Sequence, residues 1–237
     1  THGGHYHSFI WLYYMTRFPN MPIRVFNGGI GGDTAYDMNK RLDGDIFSKN
    51  PTVLMVTFGM NDSGYYEYNG DNAKEFGEQK YQESIKNFQQ MEKRFKELPH
   101  TRIVMTGTSP YDETAQIKDN TVFKKKNETI KRIIEYQRES AARNGWEFTD
   151  WNAPMVAINQ ELQQKDPSFT LCGNDRIHPD NDGHMVMAYL FLKAQGFAGK
   201  DVANMEINAN KKQAVKAEGC TISNIKKIGK DISFDYL

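Results

Sequence analysis

The stretch TVLMVTFGMND, residues 52–62, runs apolar and β-branched from Thr52 to Phe58, turns at Gly59, and then presents an amide and a carboxylate at Asn61 and Asp62. A short apolar run closed by glycine reads as a buried parallel strand feeding a polar loop, because a strand covered on both faces has no need for alternating polar positions. The same pattern recurs in IRVFN (23–27), RIVMTGT (102–108) and EFTD (147–150). Around these strands lie helical periodicities over roughly 5–18, 34–48, 73–97, 121–144 and 181–195, the last followed by Gly196 as a stop signal. This βαβ order predicts an α/β fold: an open, mostly parallel sheet with helices on both faces and ligands at the carboxyl ends of the strands.

Composition sets the bounds. The chain of 237 residues can bury one substantial core, so a main domain over 1–199 is expected. Residues 200–237 read as a β-rich extension, incomplete as given, in which DISFDYL alternates Ile232, Phe234 and Tyr236 with Ser233 and Asp235. A doubly wound domain rarely opens on a helix, so a first strand outside the given sequence is also expected. Thirty basic and thirty acidic residues cancel, which argues against nucleic acid or an anionic membrane as partner and favours a small or neutral substrate. The lysine-rich FKKKNETIKR (123–132) lies on a helical pattern and reads as a solvated face without function. Cys172 and Cys220 allow at most one bridge and no cysteine-rich zinc site. No apolar run reaches the ~18 residues of a membrane span. Localisation and oligomeric state stay open, with a secreted or periplasmic setting favoured.

Three loops carry the chemistry. NGGIGGDT (27–34) follows a strand and precedes a helix, and its glycines let backbone N–H groups approach a ligand closely. It is neither a dinucleotide fingerprint, since Asn27 stands at the first glycine position, nor a P-loop, since no Gly-Lys-Ser/Thr follows. Asn61 in GMND offers a carboxamide at a strand's carboxyl end. In NDRIHPDNDGH (174–184), Asp175 and His178 stand three positions apart, and Pro179 biases His178 toward extended backbone. An aspartate that accepts Nδ1–H leaves Nε2 free to take a proton, which is two thirds of a hydrolytic triad.

Together these blocks resemble the GDSL, or SGNH, hydrolase superfamily, whose members carry G-D-S near the N-terminus, then N-x-G-x-x-G-x-T, G-x-N-D and D-x-x-H-P. Asn27, Gly29, Gly32 and Thr34 match the second block, Gly59, Asn61 and Asp62 the third, and Asp175, His178 and Pro179 the fourth. The first block is absent from the given sequence. The resemblance covers residue 1 to about 196 and implies a flavodoxin-like three-layer α/β/α fold. It further implies that Thr1 stands two positions after the nucleophilic serine, that Asp175 and His178 are catalytic, and that Gly32 N–H, the Asn61 amide and the serine N–H form an oxyanion hole. The expected activity is ester hydrolysis through an acyl-enzyme, with no cofactor and no metal.

Other candidates are weaker. Ser8, Ser63 and Ser109 lie outside any G-x-S-x-G, so an α/β-hydrolase elbow is not supported. His2, His5 and His7 lack a clear further ligand for zinc and read as rim or surface. The polar, aromatic segment SGYYEYNGDNAKEF offers Tyr65, Tyr66 and Tyr68 as stacking partners for a sugar, and it lacks the apolar character of a lipase lid. A carbohydrate O-acetylesterase or other short-chain esterase is therefore expected. The alternatives are a non-catalytic carbohydrate-binding domain on the same scaffold, should no serine precede Thr1, and a phosphate-binding flavodoxin-like domain using the glycine loop alone.

Overall fold

Strand β2 (Arg102–Gly107) is the middle of a parallel three-stranded sheet, between β1 (Val53–Val56) and β3 (Glu147–Asp150). The computed structural model describes residues 3–118 and 120–237. Successive side chains of a strand point to opposite faces, and β2 shows it plainly. Ile103 and Met105 enter an apolar cluster with Phe88, Met91 and Ile133, whereas Val104 enters another with Trp151, Met155 and Met187. That alternation sorts the helices into two layers. α2 (Ala35–Arg41), α3 (Ala73–Phe95) and α4 (Lys126–Asn144) contribute to the first cluster, and α1 (Tyr6–Arg17), α5 (Asn152–Leu162) and α6 (Asn181–Ala194) to the second. The result is the expected α/β/α sandwich.

The helices follow their apolar spacing. α3 buries Ile85, Phe88, Met91 and Phe95 at steps of three and four. α4 buries Ile130, Ile133, Ile134, Gln137 and Ala141 in the same way and stops at Gly145, whose φ of 67° suits a left-handed cap. It starts later than its periodicity suggests, because Lys125 is also left-handed, at φ 69°. α2 gives way at Leu42 to a π-turn and a 3₁₀ turn that end at Lys49.

Two departures concern elements rather than boundaries. Residues 23–27 form no strand: Val25 and Phe26 are exposed, and a strand exists only through a ladder partner, which this segment does not find among the described residues. Conversely α5 was not anticipated from NAPMVAINQEL. Its signals are present, since Asp150 Oδ1 accepts the N–H groups of Asn152 and Ala153 at 2.8 and 3.3 Å, and Pro154 stands in the first turn, where its missing donor costs nothing.

The chain divides into two compact units, residues 1–195 and 196–237. The second consists of two antiparallel hairpins, β4 (Asn204–Asn208) with β5 (Gln213–Glu218) and β6 (Ile222–Ile228) with β7 (Asp231–Tyr236). None of its residues is fully buried. Cys172 and Cys220 are both free thiols. Among the described residues no helix is long and apolar enough to cross a membrane.

Candidate active site

The turn before α6 brings Asp175 and His178 into direct contact. Asp175 Oδ2 lies 2.5 Å from His178 Nδ1, and Oδ1 accepts the backbone N–H groups of Ile177 and His178 at 2.9 Å each. One carboxylate thus closes the turn and orients the ring. In the neutral imidazole Nδ1–H is the donor, which leaves Nε2 as a proton acceptor. Burial works against the charge on Asp175, but the hydrogen bonds from the His178 ring and the two N–H groups outweigh it and hold the carboxyl below its ordinary value. The pair remains open, its side chains 80% and 51% exposed for His178 and Asp175.

The turn itself is fixed from below. Arg176, 2% exposed, donates from Nη1 to the carbonyls of Asp112 and Ala115 at 3.1 and 2.7 Å, and its own carbonyl accepts the Asp112 N–H. Asp112 in turn accepts from Asn159 and Gln163 of the α5 region. Gly173 is required by crowding as well as by its φ of 69°, because a Cβ there would stand 2.3 Å from the His178 carbonyl oxygen.

The glycine loop and the GMND loop are tied to each other. Gly32 has φ 85° with nothing within 4 Å of a notional Cβ, so backbone conformation, not space, demands glycine there. Asp33 is held by an ion pair to Arg41 at 2.6 Å, and its carbonyl accepts Asn61 Nδ2–H at 2.9 Å. Thr34 precedes α2, with its N–H and hydroxyl both donating to Asp37. Asp62 is buried and accepts from Ala35 N–H, Gly59 N–H and Ser84 Oγ. Desolvation still raises its pKa against those bonds. Asp62 therefore braces the two loops from the protein side, while Asn61 faces the cleft.

The lysine-rich segment corrects the expectation of a wholly solvated face. Lys124, Lys125 and Lys131 are exposed, but Lys126 is fully buried. Its Nζ donates to Met60 O at 2.7 Å, to Ser63 Oγ at 2.6 Å and to Gly64 O. Burial pushes its pKa down to about 7, opposed by the carboxylates of Asp62 and Glu113. No pattern in the sequence distinguishes this lysine from its neighbours. Ser63 is thereby committed to the interior, and Ser8 lies exposed on α1. Tyr68 is buried with its hydroxyl on Ser63 O, and Tyr65 donates to Asn61 Oδ1 at 2.6 Å. Tyr66 is 78% exposed, its ring edge-on to Phe123.

One cleft is lined by Gly29, Gly32, Asn61, Ser109, Ile177 and His178, among others. The loops that the sequence singled out thus border one space, whereas Tyr65 and Tyr66 are not part of its lining. His5 and His7 lie at the start of the chain, His5 bonding to Asn181 and His7 stacked edge-on to Tyr6. Among the described residues no group of three or more His, Cys, Asp or Glu side chains is arranged to hold a metal ion. Thr1, with its implied distance from a serine, and His2 lie outside the described residues.

Comparison with known proteins gives a consistent picture. An acetylxylan esterase of Geobacillus stearothermophilus is 25% identical over 181 residues, covering 76% of this chain and 75% of that protein. The crystal structure of Axe2, an acetylxylan esterase from the same organism, superposes with a TM-score of 0.63 at 23% identity over 82% of this chain and 81% of that one. LAE5, an alpha/beta hydrolase enzyme from the metagenome of Lake Arreo, Spain, has a TM-score of 0.59 at 21% identity, covering 83% of each chain. The GDSL-like Lipase/Acylhydrolase family matches residues 3–186. Most of the chain, including every loop that borders the cleft, falls inside that match, so the protein belongs to the GDSL-like lipase/acylhydrolase family and is a carboxylic ester hydrolase of that type.

Proposed function

We propose that the protein removes short acyl groups, acetyl foremost, from carbohydrate through a Ser-His-Asp triad and an acyl-enzyme. The observation that carries this reading is the 2.5 Å contact of Asp175 with His178 on the cleft that Gly32 and Asn61 also line. The nucleophile in this reading is a serine two positions before Thr1. The commitment of Ser63, the serine beside Asn61, to Lys126 supports it.

The serine oxygen attacks the acyl carbon while His178 Nε2 takes its proton. Charge on the carbonyl oxygen is met by Gly32 N–H, by the second Nδ2–H of Asn61 and by the serine N–H. Collapse of the intermediate expels the sugar hydroxyl, which receives the proton from His178. Water then attacks the acyl-enzyme with His178 again as base, and acetate leaves. Substrate class rests on the acetylxylan esterase likeness. Crystal structures of catalytic mutants of Axe2 replace a serine, an aspartate or a histidine, the aspartate three positions before the histidine, which is the spacing of Asp175 and His178. Tyr66, exposed near the GMND loop, offers a ring to a sugar.

A panel of acetyl, butyryl and long-chain acyl esters, including acetylated xylo-oligosaccharides, tests the reading in the full-length protein and in His178→Ala. Acetyl esters are expected to be cleaved fastest, with activity abolished by the substitution. Hydrolysis indifferent to His178→Ala removes the triad, and a preference for long acyl chains removes the substrate class.

A further inference from the structure

The carboxamide of Asn61 is useful only in one orientation. Its Nδ2 has two hydrogens and its Oδ1 only lone pairs, so a flipped amide would aim an acceptor at a developing oxyanion. Asp33 O can only accept, and it sits 2.9 Å from Nδ2, which sets one side. On the other side the Tyr65 hydroxyl donates to Oδ1 at 2.6 Å. With the amide reversed, the Asp33 carbonyl would face Oδ1, two acceptors in contact. One Nδ2–H remains for the cleft.

Tyr65 is itself held. Lys126 Nζ stands 3.9 Å from its ring centroid, and the Phe123 ring meets it edge-on at 6.0 Å. The donors of that same ammonium go to Met60 O, Ser63 Oγ and Gly64 O, which bracket Asn61 along the chain. An ammonium buried by α4 therefore draws together the backbone on both sides of Asn61 and supports the aromatic ring that fixes its side chain.

We propose that Tyr65 and Lys126 are positioning residues that lock the Asn61 carboxamide with its donor toward the cleft. This gives Tyr65 a different task from stacking on a sugar, and it rests on the reading of Asn61 as an oxyanion donor. Neither residue touches substrate in this account.

The test is a double-mutant cycle on an acetyl ester in the full-length protein. Tyr65→Phe keeps the ring over Lys126 and removes only the hydroxyl. It is expected to lower kcat about three- to tenfold, the effect of one neutral hydrogen bond, with KM and the thermal midpoint unchanged. In an Asn61→Ala background the same substitution is expected to have no further effect on kcat. Lys126→Met should lower kcat by more and lose that effect in the same background; where it fails to fold, the Tyr65 pair carries the test. Equal losses in both backgrounds, an unchanged kcat in Tyr65→Phe, or a change confined to KM would overturn the positioning role. If Asn61→Ala itself leaves kcat unchanged, the oxyanion reading falls; if Asn61→Ala is slow and Tyr65→Phe is not, only the present inference falls.

Discussion

Two loops border the same cleft and are built in opposite ways. The 59–65 loop is anchored through groups withdrawn from water: Asp62 is buried, and Lys126 reaches three of its oxygens from the interior. The 173–179 turn buries Gly173 and its backbone anchor, Arg176, and leaves Asp175 and His178 largely open. Under the proposed triad and oxyanion hole, the contrast follows from what each loop would do. A donor for a developing charge works best fixed in advance, since no reorganisation is then left for the transition state. A base that takes a proton and returns it must meet its partners directly, so it stands at the surface of the cleft and borrows rigidity from the turn.

The sharpest way to break this comparison is at the open side. His178→Ala is expected to reduce kcat on an acetyl ester by about ten-thousandfold, read from steady-state rates, because proton transfer has no substitute there. Asn61→Ala acts on the fixed side and should lower kcat by about 100- to 1000-fold with little change in KM. A loss in KM alone would make Asn61 a binding group and dissolve the contrast. Arg176→Met leaves two buried carbonyl acceptors without donors, and urea unfolding should show a loss of about 1–3 kcal/mol. An unchanged midpoint would mean that the turn stands without its anchor.

The smallest expected effect concerns pH. Lys126 releases its proton at about 7 when folded and near 10.4 when unfolded, so between those values the unfolded chain binds more protons. Stability of the wild type should therefore rise with pH across that interval relative to Lys126→Met, by about 1 kcal/mol from pH 7 to 8. Parallel curves from urea titrations at the two pH values would show that the ammonium is not desolvated.

Much of the first unit was legible in the sequence because local rules and tertiary outcome agree there. The apolar runs at 52–59, 102–108 and 147–150 became β1, β2 and β3, the first two shortened to the residues that find ladder partners. IRVFN carries the same propensity and forms no strand, since propensity supplies no hydrogen-bond partner. Residues 152–162 form a helix that the sequence does not announce: the short segment carries a proline and two asparagines, and the helix depends on the Asp150 cap and on burial of Met155 and Asn159.

What the sequence alone determined is whatever depends on neighbours along the chain. The Asp175–His178 spacing puts a carboxylate and a ring on one turn, the glycine at 32 permits a left-handed backbone, and the alternation of strand and helix patterns gives the layered class. Tertiary structure decided which charges are buried. Lys126 and its exposed neighbours have the same chemistry, and only the packing of α4 against the 59–65 loop withdraws one ammonium from water and gives it three oxygens in exchange. Desolvation is a property of what surrounds a group in three dimensions, and residues more than sixty positions away along the chain supply it here.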